Sequence, residues 1–225
     1  MLEPPLPQLK PQIPPSNGPE PKKVGQLRDL SFDHPIPAIV RQHGWAIDPD
    51  ILQSGDLLLV SSKKPDWFGK KIQEHQSKLF QEEHACWQHA VVSGSRFQIT
   101  EATLFGVKSC EYWGYMTGNY ELKIRRLMNA SEATRNQLAY FAATYTGVRY
   151  GFMSAINLRG ILSGNDPWRK KPFIRSSGII CSQLYFEACQ RVGYLIANIP
   201  AETVCPAHLS QSQLLHDVEL SWVKV

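Results

Sequence analysis

A chain of 225 residues with 43% hydrophobic and 20% charged residues has the length of one large domain or two small ones, and too much apolar content for wholesale disorder. Its 24 Lys and Arg against 20 Asp and Glu leave a net charge of +4, spread along the sequence, which argues against a nucleic-acid partner read by a basic face. The one basic cluster, Arg169-Lys170-Lys171 with Arg175, reads as a solvated loop, and no run of about 18 apolar residues is present to cross a membrane as a helix.

Eight of the 16 prolines fall in residues 4–21 among Gln, Asn, Lys and Glu. Such a stretch buries too little apolar surface to offset its ordering entropy, so residues 1–24 are expected to be an extended tail and 25–225 a folded domain. The first residues lack a basic segment followed by an apolar one, so they are not read as a secretory signal.

Residues 35–44 suit a short helix, with Pro35 near the start, Ile36, Ile39 and Val40 on one face and Gly44 at the end. Gln53-Ser54-Gly55-Asp56 is a turn, and Leu57 to Val60 is a short apolar run suited to a buried strand. Residues 67–82 place Phe68, Ile72, Leu79 and Phe80 among charges, as an amphipathic helix does. Residues 87–93 and 97–107 are rich in Val, Ile, Thr and Phe and flank Ser93-Gly94-Ser95, a hairpin signal. Residues 120–127 form another strand. Asn129-Ala130-Ser131-Glu132 fits a capping box with Asn129 as the cap, opening a helix to about Tyr145 with Leu138, Phe141 and Ala142 inward. A further helix over 182–192 carries Leu184, Tyr185, Ala188 and Val192. A block of strands flanked by helices is α+β.

Five cysteines at irregular spacing (Cys86, Cys110, Cys181, Cys189, Cys205) argue against a disulfide framework, because an odd number leaves at least one free thiol. A free Cys is most simply a small buried hydrophobe. Cys181 differs because it immediately precedes an amphipathic helix, where unpaired N–H groups and the dipole favour thiolate over thiol. Cys189 falls mid-helix, Cys86 precedes a strand, and Cys110 and Cys205 fall in expected loops. A cysteine nucleophile needs an imidazole and a polar group to orient it. His34, His43, His75, His84 and His216 fall near loops or charged helix faces and read as surface residues, whereas His89 lies in the strand-like run Trp87 to Val92. A three-residue loop, Gly94 to Arg96, would set His89 directly opposite Glu101; any odd-length loop keeps the two on one face, and an even one separates them. Glu is disfavoured in strands, so Glu101 is either a solvated rim residue or a functional one.

Gly55-Asp56-Leu57-Leu58-Leu59-Val60, Gln88-His89-Ala90-Val91-Val92, Thr100-Glu101-Ala102 and Ile180-Cys181-Ser182-Gln183-Leu184, in that order, resemble the circularly permuted NlpC-type papain-like cysteine peptidases, the YiiX-like branch related to lecithin retinol acyltransferase. The likeness spans roughly residues 53–188. It implies a permuted papain-like fold, a central antiparallel sheet packed by helices, over the domain 25–225. It also implies Cys181 as nucleophile, His89 as base and Glu101 as the third polar residue, with no metal or cofactor. Tyr150 matches an aromatic near the cysteine of that family, and the long spacer 152–175 with Trp168 departs from the pattern. The implied substrate is a peptidoglycan peptide or another amide. With no secretory signal, delivery to the cell wall by a phage or a secretion system is expected, and an immunity or delivery partner is left unspecified.

Three alternatives accompany that expectation. Cys86-Trp87-Gln88-His89 and Cys205-Pro206-Ala207-His208 are two C-x-x-H pairs, a possible zinc set. Tyr112, Trp113, Tyr115 and Tyr120 would line a groove in a non-catalytic binding module, or pack at the edge of the core. The same triad would also serve a lipid acyltransferase or thioesterase.

Overall fold

Leu57 to Val60 is apolar at every position, as a strand covered on both faces must be, and it lies in the middle of the main sheet. The computed structural model describes residues 36–94, 97–151 and 178–225; the tail 1–24, the spacer 152–175 and the basic cluster lie outside them. The strands are β1 (Trp45–Ile47), β2 (Leu57–Ser62), β3 (His89–Ser93), β4 (Gln98–Thr103), β5 (Gly106–Glu111), β6 (Tyr120–Leu127), β7 (Leu215–Val218) and β8 (Trp222–Lys224). The helices are α1 (Ala38–His43), α2 (Trp67–Gln76), α3 (Glu82–Ala85), α4 (Glu132–Ala143), α5 (Cys181–Arg191) and α6 (Pro206–Gln211), with a 3₁₀ turn at Tyr112–Tyr115. The main sheet is antiparallel, in the order β5-β4-β3-β2-β6-β7, and β1 pairs with β8 in a second small sheet. The chain is thus α+β with antiparallel sheets.

Strand alternation sorts the core into two layers. Leu57, Leu59, Ala90, Val92 and Ala102 pack with Leu138 and Ala142 of α4 and Leu184, Tyr185 and Ala188 of α5. Leu58, Val60, Val91, Ile99, Leu122 and Ile124 pack with Trp45, Ile47 and Trp222 of the small sheet and with Tyr112, Trp113 and Met116. Tyr112 and Trp113 are therefore core residues, not the lining of a groove.

At the opening of β2, Asp56 is fully buried and accepts from Arg126 of β6 through both carboxylate oxygens, each at 2.8 Å, and from the Gln53 N–H at 2.8 Å. Gly55 has φ +81°, and a Cβ there would stand 2.5 Å from the Arg135 carbonyl oxygen. The Gly-Asp pair thus joins β2 to β6 and seats the strand against α4.

Several elements differ from the sequence expectation. The helix from Trp67 stops at Gln76, and Leu79 is exposed. The expected strand 97–107 breaks into β4 and β5, because Thr103 Oγ accepts from the Phe105 N–H and closes a turn at Leu104-Phe105. Cys110 therefore sits in β5 and not in a loop. The cap of α4 is Ser131, whose side chain accepts from the Thr134 N–H, while Asn129, just upstream of the cap, takes φ 57°.

Candidate active site

Cys181 is held from both sides. Upstream, Ile179 forms a parallel bridge with Tyr150: the Gly151 N–H donates to the Ile179 carbonyl at 3.1 Å, and the Ile179 N–H to the Arg149 carbonyl at 3.1 Å. The two segments lie so close that a Cβ on Gly178 would lie 2.4 Å from the Tyr150 carbonyl carbon. Downstream, α5 buries Leu184, Tyr185 and Phe186, and the Ser182 hydroxyl donates to the Val204 carbonyl at 2.6 Å. Gly178→Ala is accordingly expected to displace Cys181 and slow any reaction at its sulfur by about 10²-fold, the usual cost of an ångström-scale misplacement; kinetics on the purified variant check this.

His89 opens β3 and is placed by two buried amides. Gln76, fully buried, donates to the carbonyls of Ala85 (3.0 Å) and Trp87 (2.7 Å) and accepts from the Ala207 N–H at 2.9 Å. Gln88 accepts from the Ser62 N–H at 3.2 Å. The β3–β4 register pairs Val91 with Glu101, and the Gly94 N–H donates to the Gln98 carbonyl at 2.7 Å. The connection is thus odd in length, but it begins one residue later than expected. His89 and Glu101 are diagonal neighbours on one face, not direct partners. A diagonal separation is within reach of long side chains, and His89 Nε2 donates to Glu101 Oε2 at 2.8 Å.

The ladder between β3 and β4 reaches no further than Val91 and Glu101. Into the fork beyond it comes the sulfur of Cys181, which accepts from the Ala90 and Ser182 N–H groups and is hydrogen-bonded to His89. Since Nε2 serves Glu101, Nδ1 is left to face the thiol. Ile180, at the cap position of α5, contributes no side-chain hydrogen bond; of the first-turn donors the Ser182 N–H reaches the sulfur, and the dipole of α5 favours its anion.

Electrostatics separate this thiol from the others. Burial pushes Cys86, Cys110 and Cys205 up to about 11 and raises Cys189 as well. Burial opposes ionisation of Cys181 too, but the His89 charge, the His89 hydrogen bond and the two backbone donors outweigh it and the thiol is lowered. Burial disfavours the imidazolium of His89, yet Cys181 and Glu101 together raise it to about 10. Glu101 is likewise opposed by burial and still held down to about 2, chiefly by His89, with help from Tyr115 and Lys108. Tyr150 is raised by burial first and then by the charge of Cys181.

Elsewhere the histidines divide. His75 and His84 are buried, not exposed as expected; His75 Nδ1 donates to the Lys71 carbonyl at 2.7 Å, and His84 Nδ1 bonds the Ser210 hydroxyl at 3.0 Å. His43 and His216 are half-buried, and His34 lies outside the described residues. His208 Nδ1 meets Cys205 Sγ at 3.0 Å, burial holding its pKa down to about 4. The two C-x-x-H pairs do not assemble: His89 is engaged by Glu101 and Cys181, while Cys86 Sγ donates to the Glu83 carbonyl at 3.6 Å. Among the described residues no group of three or more His, Cys, Asp or Glu side chains is arranged to hold a metal ion, and no helix is long and apolar enough to cross a membrane.

Sequence reasoning passed over Gln76 and Lys108, quoted Gln88 without a role, and read Tyr115 as a groove or packing residue where its hydroxyl donates to Glu101. Compared with known proteins, the chain matches no family model and no curated protein.

Proposed function

We propose that this chain is a cysteine hydrolase of the circularly permuted NlpC-type papain-like kind, cleaving an amide bond, with a peptidoglycan peptide as the substrate. The observation that carries the proposal is the hydrogen-bonded series Cys181–His89–Glu101 at the uncapped start of α5. His89 takes the Cys181 proton, giving a thiolate beside an imidazolium. The sulfur attacks the amide carbonyl carbon, and the Cys181 N–H donates to the oxyanion, a contact typically worth about 3–4 kcal/mol. The C–N bond breaks as the imidazolium gives its proton to the leaving amine. Water, losing a proton to His89, then attacks the thioester carbonyl and releases the acid and the thiol. Glu101, accepting from Nε2, keeps Nδ1 directed at sulfur and stabilises the imidazolium.

The ionisations fix the pH response. His89 is raised to about 10 from its ordinary 6.5, so its share of stability is complete below 6.5 and lost as pH rises through about 10. Glu101 is lowered to about 2 from 4.5, so its share is complete above 4.5 and lost as pH falls through about 2. Turnover is expected to hold up to about pH 10, where His89 loses the proton owed to the leaving amine, and thermal unfolding followed against pH is expected to lose its alkaline arm in His89→Ala.

The test of substrate is mass spectrometry of cell-wall peptides incubated with wild type and with Cys181→Ala. New fragments with wild type alone support the proposal. A wall-directed enzyme delivered by a phage or secretion system is also expected to round or lyse cells when exported to the periplasm and to leave them unharmed from the cytoplasm.

One observation favours a second reading, lipid acyl transfer or thioester hydrolysis by the same triad. β4 ends and β3 and α2 begin at one end of the main sheet, and there Trp67, Leu104 and Phe105 are 66%, 55% and 101% exposed. Fatty acid released from phosphatidylglycerol vesicles by wild type, with cell-wall peptides untouched, would select it.

A further inference from the structure

The carboxylate of Glu101 is clamped. Its side chain is 6% exposed, and each oxygen has two neighbours. Oε2 accepts from His89 Nε2 at 2.8 Å and also from the Tyr115 hydroxyl. Oε1 accepts from Cys110 Sγ at 3.4 Å and faces the Lys108 ammonium at 3.3 Å. Lys108 is 55% exposed, so it draws the carboxylate outward, away from the histidine. Because His89 is diagonal to Glu101 and not opposite it, the bond between them needs one extended conformation of a side chain with three rotatable bonds, and ordering such a chain carries an entropy cost.

Tyr115 supplies the opposing hold. It ends the 3₁₀ turn at Tyr112–Tyr115, whose Tyr112 and Trp113 are buried in the core, so its backbone stands on a packed platform. Its ring lies 5.3 Å from that of Tyr120, edge to face, and 6.3 Å from that of His89. We propose that Tyr115 is a positioning residue that fixes the rotamer of Glu101, so that Oε2 is presented to His89 and the thiolate–imidazolium pair is favoured over the neutral thiol–imidazole pair. This inference rests on the cysteine-hydrolase reading. Burial and Glu101 raise the phenol further above its ordinary pKa, so Tyr115 stays a donor throughout the working range.

The test needs no substrate. The rate of Cys181 alkylation by iodoacetamide, read by mass spectrometry across pH, reports the thiolate fraction. Tyr115→Phe keeps the ring and removes only the hydroxyl. It is expected to shift the acid limb of the alkylation profile upward by about half to one pH unit, the effect of one hydrogen bond, and to converge on wild type at alkaline pH, where the thiolate forms without the imidazolium. Glu101→Gln is expected to show a larger shift of the same limb, and the double variant is expected to match Glu101→Gln alone. A Tyr115→Phe profile superimposable on wild type would overturn the inference. So would a loss uniform across pH, or a shift that adds to that of Glu101→Gln. Failure of the underlying reading looks different: wild-type Cys181 itself would show no fast alkylation near neutral pH, and this inference would go with it.

Discussion

Cys181→Ala and His89→Ala are each expected to abolish turnover by roughly 10⁵-fold, the loss typical when one member of a cooperating nucleophile–base pair is removed, with the fold intact. The fold is spared for different reasons in the two variants. Alanine at 181 keeps the helix start and its bridge through Ile179 to Tyr150, losing only a sulfur at the mouth of α5. Alanine at 89 leaves the strand pairing with β2, which runs from Leu57 and Val92 to Val60 and His89 through the backbone. It does strand the Glu101 carboxylate, which still has Tyr115, Cys110 and Lys108 as partners. Circular dichroism and urea titration check the fold, and the cell-wall peptide digest checks turnover. Retained turnover in either variant would remove both residues from the mechanism.

Asp56→Ala is expected to cost about 3 kcal/mol of stability, at the low end of the range for breaking a buried ion pair by removing one partner. The Arg126 guanidinium would lose both carboxylate contacts, and the Gln53 N–H its acceptor. The low end applies because the Arg126 side chain is 16% exposed and recovers some hydration, whereas Asp56 has none. Urea unfolding is expected to show a lower midpoint at unchanged slope. Replacing Arg126 by leucine in the same chain should return most of the loss, because the unpaired charge goes with it. The pair clamps β2 to β6 at the end of β2 opposite the site, so Cys181 reactivity should survive.

Parity is why the relation between His89 and Glu101 was legible in the sequence. Any odd-length connection puts them on one face, and the observed register, shifted by two residues in pairing, keeps that face. Cys181 was legible because a helix start is marked by the periodicity of Leu184, Tyr185 and Ala188. Its partners in the fork were not, since which backbone N–H is released depends on where the ladder stops. The placement of Tyr115, Lys108 and Cys110 against Glu101 was hidden behind the Leu104-Phe105 turn, whose closure depends on a Thr hydroxyl and not on a Pro or Asn signal. Gln76 and Gln88 read as ordinary polar positions, and only tertiary packing turns them into buried donors and acceptors. The C-terminal strands β7 and β8 are short and pair with strands far away in the sequence, β7 with β6 and β8 with β1, which no local pattern announces.

The most direct measurement is the ultraviolet absorbance of thiolate in the purified protein, titrated from acid to alkaline pH and compared with Cys181→Ala and with His89→Ala. One thiolate is expected to be present already below neutral pH in wild type, absent from Cys181→Ala and displaced to alkaline pH in His89→Ala. A wild-type protein with no thiolate until the pH passes the ordinary cysteine value of about 8.5 would contradict this.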